Sequence, residues 1–240
     1  MDIKSAEMTK YAANAFLALK ISYINEVANL CEAVGADVHL VAKAMGQDGR
    51  ISPKFLHPGP GFGGSCFPKD THAIAAFSRK KGVPMNTIDA AIITNNDQKK
   101  RMTEKLKNLV GGDFSGKTIG VLGLAFKPNT DDVRESSSIE MIQTILDGGG
   151  KVKAYDPMAN ESMKKVFPNL NYSHSWEETC DDVDAVAIMT EWNEFRGMSL
   201  EKLKTIMKSP IILDTRNILS IDKLVEYGFQ FDNVGRTKVS

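Results

Sequence analysis

The period of the apolar residues changes once along the chain, and that change limits the fold more than any other feature. In the first half they recur at steps of three or four. From Ala6 to Val34 they fall at Ala13, Leu17, Ile21, Ile24, Ala28 and Cys31, with no proline or glycine before Gly35. This predicts one long helix of about 40 Å at 1.5 Å per residue. Asp37 is placed to cap a short helix through Ala44 that Gly46 closes. Further helices are predicted over Asp70–Lys80 and Pro84–Leu109, the last ending near Gly111-Gly112.

In the second half short buried strands alternate with helices. Strands are predicted at 117–124, 152–155, 185–189 and 211–214, with 229–234 as a candidate edge strand. Helices fall near 136–146, 161–166 and 200–207. Such alternation specifies a parallel, right-handed, doubly wound sheet of Rossmann type. The predicted fold is therefore α/β: an all-helical domain over 1–112, then a Rossmann-like doubly wound sheet domain over 113–240. Its ligand crevice is expected beyond the carboxyl ends of the strands, at Phe126-Lys127, Asp156-Pro157, Thr190-Glu191 and Thr215-Arg216. The turn after the first strand reads Gly120-Val-Leu-Gly123-Leu-Ala-Phe, which is not GxGxxG. A full dinucleotide site is not expected there; a sugar nucleotide and no ligand at all are the alternatives.

Charge and cysteine usage narrow the function classes. Lysine plus arginine and aspartate plus glutamate number 30 each, so no strong field favours nucleic acid or an anionic membrane. No apolar run approaches the roughly 20 residues of a membrane helix, and Met1–Glu7 carries acids in place of an apolar signal core. A cytoplasmic protein is expected. The three cysteines, Cys31, Cys66 and Cys180, form no CxxC pair, and His39, His57, His72 and His174 are scattered. Neither a disulfide framework nor a metal site is predicted. Cys31 continues the long-helix stripe and Cys180 lies in an acidic helix-like segment, so neither is a nucleophile candidate. The run Lys99-Lys100-Arg101 reads as a solvated helix face, and Trp192 is left without a role.

Two constellations carry chemistry. Phe55-Leu-His-Pro-Gly-Pro-Gly-Phe-Gly-Gly-Ser-Cys66-Phe-Pro-Lys-Asp70 packs four glycines and two prolines ahead of a cysteine. Gly59, Gly61, Gly63 and Gly64 let the backbone bend and approach a ligand. Pro68 suits a first helical turn, which puts Cys66 at or just before a helix N-terminus, with Lys69 close by. Such positions favour thiolates, and Cys66 reads as a nucleophile. Lys10 and Asn14, four apart, project from one face of the long helix. Read from the helix alone, they either line a pocket or mark where the apolar stripe ends and Lys10 reaches solvent.

Lys10-Tyr-Ala-Ala-Asn14-Ala-Phe, then Gly-Gly-Ser-Cys66-Phe-Pro-Lys-Asp70, then Gly-Leu-Ala-Phe-Lys127-Pro-Asn-Thr-Asp-Asp-Val-Arg134-Glu-Ser closely resemble the UDP-glucose dehydrogenase family. They occur in the family's order, and the resemblance covers essentially the whole chain. The family places a complete Rossmann domain with GxGxxG before the long helix. None of these 240 residues supplies it, so the chain is expected to match the central and C-terminal domains, with the main NAD domain lacking.

The resemblance implies oxidation of the C6 alcohol of UDP-glucose to a carboxylate, each of two hydride transfers reducing one NAD. Cys66 is implied as the thiol that captures the intermediate aldehyde as a thiohemiacetal and then becomes a thioester. Lys10 and Asn14 match the pair that stabilises negative oxygen, and Asp70 the carboxylate that activates water. For substrate contacts the resemblance implies Lys10, Asn14, the loop Phe55, Leu56, His57, Pro58 and Gly59, together with Gly63 and Lys127. Arg50 matches an arginine that reaches into a partner subunit's site. Many bacterial members have asparagine where this chain has His57. Lys69 and Arg134 match residues that touch NAD. A homodimer through the long helix is also implied. The rival readings are a GDP-mannose or UDP-N-acetylhexosamine dehydrogenase, which share the cysteine mechanism. The run Ser65–Asp70 fits the UDP-glucose group better than the acetylhexosamine group. For the chain as it stands, the further alternative is a non-catalytic sugar-nucleotide-binding and dimerisation module, and no NAD-dependent turnover is expected of it alone.

Overall fold

The computed structural model describes residues 1–236, which form two compact units. One comprises Met1–Gln98 with Gly235 and Arg236; the other is Lys99–Val234. No helix of the described residues is long and apolar enough to cross a membrane.

The first unit is helical. α1 (Ile3–Val34) starts at Asp2, whose carboxylate accepts from the Ser5 amide at 3.0 Å. It ends at Gly35, whose φ of 75° is the left-handed turn that favours glycine. The buried face differs from the expected stripe. Ile24, Ala28 and Cys31 are buried as anticipated, Asn25 is buried beside them, and upstream the core takes Ala15, Ala18 and Ser22. Ala13 is exposed, and Leu17 and Ile21 are only half-buried. The reason is side-chain size: small residues allow close helix packing, and a count of large apolar residues misses such a face. Ser22 is admitted because its hydroxyl donates to the Ala91 carbonyl at 2.9 Å.

α2 (Val38–Gly46) is capped by Asp37, which accepts from the His39 amide at 2.7 Å. α3 (Cys66–Lys80) begins at Cys66 itself, four residues before the predicted start. Pro68 is tolerated because first-turn amides have no partner within the helix. α4 (Asn86–Leu109) completes the set. Ala15 of α1 meets Ile74 and Ala75 of α3 and Ile88 of α4 in a small core, with Tyr11, Met85 and Ile92 packed against it.

The second unit is a six-stranded, all-parallel sheet of order β3-β2-β1-β4-β5-β6. The strands are β1 (Thr118–Leu122), β2 (Lys151–Tyr155), β3 (Asn171–Tyr172), β4 (Ala185–Ile188), β5 (Ile211–Asp214) and β6 (Gln230–Asn233). Connecting helices are α5 (Ser137–Asp147), α6 (Asn160–Lys164), α7 (Trp176–Cys180), α8 (Asn193–Arg196), α9 (Leu200–Ile206) and α10 (Ile221–Glu226). This is the two-halved Rossmann order, with its switch between β1 and β4. β4 is buried throughout, as a central parallel strand covered on both faces must be. Leu122, Val186, Ile188, Phe195, Leu203 and Ile212 are among its core residues.

One expectation is corrected here. Lys99 does not belong to a solvated face: it is buried, and its ammonium donates to the Glu135 carbonyl at 3.2 Å. Lys100 and Arg101 are exposed as expected.

Candidate active site

Cys66 opens α3 and is exposed, whereas Cys31 and Cys180 are buried. Ser65 precedes it without a side-chain capping bond, so the first-turn amides keep their partial positive charge for another acceptor. Asp70 lies one turn further along α3, on the same face as Cys66. Its side chain is 0 % exposed. Asn14 of α1 donates through Nδ2 to Asp70 Oδ2 at 2.6 Å. Lys10 Nζ stands 3.6 Å from the same oxygen, and Lys69 Nζ stands 3.8 Å from Oδ1. Among the described residues Oδ1 accepts no hydrogen bond. Lys10 and Asn14 of α1 and Lys69 of α3 thus converge on the buried carboxylate of Asp70, one helical turn from the cysteine. Both cations are more than half exposed, so they remain able to turn toward a ligand.

The loop before Cys66 is held from its buried side. Asn25 Oδ1 accepts from the Gly59 amide at 2.8 Å, and Gln98 Nε2 donates to the Gly59 carbonyl at 2.9 Å. Asn95 Oδ1 accepts from the Phe62 amide at 2.7 Å while its Nδ2 donates to the Phe62 carbonyl at 3.1 Å. Gly61 (φ 104°) and Gly64 (φ 80°) adopt left-handed backbone that a side chain would strain. Phe67 packs against Phe55 and Phe62 with ring centroids 6.0 and 6.1 Å away. Upstream, Lys20 Nζ donates to the carbonyls of Ile51, Ser52 and Lys54, bracing a turn in which Ser52 and Phe55 have positive φ.

Leu56, Pro58, Gly59 and Gly63 are buried, Phe55 is half-buried and His57 is exposed. Arg50 is exposed and its guanidinium closes on Asp48, Nε to Oδ1 at 3.0 Å and Nη2 to Oδ2 at 2.6 Å. That contact holds the Asp48 carboxyl below its ordinary range. Lys20, Asn25, Asn95 and Gln98 were not singled out from sequence. The available signal was polar residues continuing a buried helical face.

In the second unit, Phe126-Lys127, Asp156-Pro157, Thr190-Glu191 and Thr215-Arg216 follow the carboxyl ends of β1, β2, β4 and β5, as expected. Lys127 is exposed, its Nζ 5.3 Å from the Phe126 ring centroid. Arg134 is exposed and pairs with Asp132 through Nε at 2.9 Å and Nη2 at 2.7 Å. Thr190 Oγ1 donates to the Ala125 carbonyl at 2.6 Å, and Arg216 Nε donates to the Met189 carbonyl at 2.7 Å.

Asp156 occupies the position from which an acid would reach a dinucleotide ribose, but its oxygens are already used. Oδ2 accepts from the amides of Leu124 (2.8 Å) and Ala125 (3.0 Å) and from Trp192 Nε1 (3.1 Å). Oδ1 accepts from the amides of Met158 and Ala159, each at 2.9 Å. A Cβ at Gly123 would lie 2.5 Å from that of Thr190, so this glycine serves strand packing. With its oxygens so occupied, Asp156 does not fit the part of a ribose-binding acid. Trp192, without a role in the sequence reading, is a core residue that braces Asp156.

Residues 4–97 match the central domain of the UDP-glucose/GDP-mannose dehydrogenase family, and residues 120–221 match that family's UDP binding domain. The chain is 45% identical over 233 residues to a UDP-glucose 6-dehydrogenase of Rhizobium meliloti, covering 97% of this chain and 53% of the relative. It is 46% identical over 239 residues to UDP-glucose 6-dehydrogenase TuaD of Bacillus subtilis, covering 99% of this chain and 52% of the relative. A UDP-glucose dehydrogenase structure from Pyrobaculum islandicum superimposes with a TM-score of 0.89 at 36% identity, covering 99% of this chain and 52% of that one. The chain therefore spans about half the length of the relatives it matches. Two successive domain matches, the helical unit carrying Cys66 and the parallel sheet lead to one conclusion: the chain belongs to the UDP-glucose/GDP-mannose dehydrogenase family.

Proposed function

We propose that this chain is the part of an NAD-dependent UDP-glucose 6-dehydrogenase that binds the sugar nucleotide and carries the covalent chemistry. The observation that carries this reading is the convergence of Lys10 and Asn14 on Asp70, one helical turn along α3 from the exposed Cys66. The names of the relatives and the match to a UDP binding domain support UDP-glucose as the ligand.

The chain's own residues then act as follows. The Cys66 sulfur adds to the C6 aldehyde, forming a C–S bond, and Lys10 and Asn14 stabilise the resulting oxyanion before it is protonated. Capture keeps a reactive aldehyde on the protein. After the adduct has been oxidised to the thioester, water attacks its carbonyl, Asp70 takes the water's proton, and the C–S bond breaks to return the thiolate. The unused lone pairs of Asp70 Oδ1 suit that role. NAD, when bound, would supply the hydride acceptor for both oxidations. The second unit lacks the glycine fingerprint of a dinucleotide site, and this chain alone does not turn over.

Phe55, Leu56, His57, Pro58, Gly59 and Gly63 form the sugar loop, with Leu56 contributing backbone alone because its side chain is buried. Lys127 binds substrate from the sheet domain, Lys69 and Arg134 contact NAD when it is supplied, and Arg50 serves the partner protomer. The functional division falls between 1–112 and 113–240, with α4 in the first. A homodimer through α1 is supported by Phe16, Tyr23 and Leu30, half or more exposed and seven residues apart on one face. Three free cysteines suit a reducing cytoplasm.

The test is calorimetric titration of the chain with UDP-glucose, with GDP-mannose as control. Selective binding of UDP-glucose supports the reading. Preference for GDP-mannose moves the assignment to the rival substrate, and binding of neither overturns the sugar-nucleotide role of this chain.

A further inference from the structure

The loop ahead of Cys66 has an unusual support. Gly59 and Phe62 each have both backbone groups, the amide and the carbonyl, bonded to side-chain carboxamides. Asn25, Asn95 and Gln98 are all almost completely buried. They come from α1 and α4, over 30 residues away in sequence. Asn29 extends the set by donating from Nδ2 to Gln98 Oε1 at 3.0 Å. Four backbone bonds made this way replace the ladder that a strand would supply, while the loop keeps the bend set by Gly61 and Gly64.

We propose that Asn25, Asn95 and Gln98 are positioning residues that hold Gly59–Phe62 in its ligand-ready shape, so that the sugar-binding backbone is set before substrate arrives. The inference rests on the reading of this loop as the element that holds the sugar. A chain left to order this loop on binding would lose affinity to the cost of ordering. Carboxamides suit the task because each offers an acceptor and a donor without a charge to desolvate. Asn95 uses both atoms on one residue and is the keystone of the set.

The test compares the parent chain with Asn95→Asp, which keeps an acceptor for the Phe62 amide but turns a second oxygen against the Phe62 carbonyl. Each is titrated with UDP-glucose and with UDP. The expected result is a loss of about tenfold or more in affinity for UDP-glucose, with UDP affinity unchanged within about twofold. The difference is expected because the clamp acts on the sugar loop and not on the nucleotide. Unchanged affinity for UDP-glucose overturns the proposal, and so does an equal fall for both ligands, which a general loss of structure would give. Should Asn95→Asp fail to fold, Gln98→Met, which removes the donor to the Gly59 carbonyl and the acceptor for Asn29, is judged by the same comparison. If the parent binds neither ligand, the substrate reading fails and hydrogen exchange decides the clamp. Slow amides at Gly59 and Phe62, lost in the variant while α1 and α4 stay protected, support it. Free-loop exchange in the parent overturns it.

Discussion

Removing the Asp156 carboxylate should destabilise the sheet unit sharply. Five donors converge on it: the amides of Leu124, Ala125, Met158 and Ala159 and the Trp192 indole. Met158 is more than half exposed, and its amide can return to water. The other four donors are buried, and each left unpaired costs about 1–3 kcal/mol. Taking the low end, because water can enter the space a shorter side chain leaves, Asp156→Ala should cost about 4 kcal/mol. Asp156→Asn can keep its oxygen toward Leu124, Ala125 and Trp192. Its NH2 then faces the amides of Met158 and Ala159, for a cost of about 2 kcal/mol. Against a typical total of about 5–15 kcal/mol, the alanine variant should be marginal. Urea unfolding followed by tryptophan fluorescence is the assay. Both tryptophans, Trp176 and Trp192, lie in this unit, and Trp192 touches the altered side chain. A loss under about 1 kcal/mol for Asp156→Ala would mean that the carboxylate does not hold these four donors.

Three further outcomes follow from burial and exposure. With a thiol-specific disulfide reagent the native chain should show one fast thiol, absent in Cys66→Ser. Cys31 and Cys180, buried and with their thiols pushed up chiefly by burial, should react only on unfolding; two fast thiols would contradict the site. Burial, with Glu194 adding to it, pushes the Tyr155 hydroxyl up to about 12, and burial with Glu161 does the same for Tyr172. From the ordinary value of 10 up to about 12 the unfolded chain sheds these protons and the folded chain keeps them. Stability should be intact below that range and fall through it, less steeply in Tyr155→Phe; an identical slope would count against the burial of that ring. Tyr23→Glu should convert a dimer to a monomer in light scattering with the helical signal unchanged, and a monomeric parent would remove α1 as an interface.

Much of the site was legible because it is local. Asn14 follows Lys10 by one helical turn, as Asp70 follows Cys66, so shared faces could be read directly. Gly35 and Asp37 marked helix ends by their backbone chemistry. The alternation of strand and helix led to the sheet domain, although β3, two residues long, carries no pattern to read. What escaped was non-local. The contacts of Asn25, Asn95 and Gln98 join residues 33 to 39 positions apart, and no spacing rule connects them. The buried state of Lys99 likewise depends on Glu135, which lies 36 residues on. The shift of the α1 core toward Ala15, Ala18 and Ser22 shows that small residues leave little periodic signal.

In the proposed function Cys66, aided by Lys10 and Asn14, captures an aldehyde at C6 of a UDP-sugar. The most direct measurement is the rate at which iodoacetamide alkylates Cys66 in the presence of the C6 aldehyde of UDP-glucose, compared with UDP-glucose itself. Addition of the sulfur to the aldehyde needs no oxidant, so the experiment is independent of NAD. The aldehyde should protect Cys66 well beyond UDP-glucose, and Lys10→Met should reduce this to the protection given by the alcohol. Equal protection by aldehyde and alcohol, or an unchanged alkylation rate at saturating aldehyde, would contradict capture by Cys66.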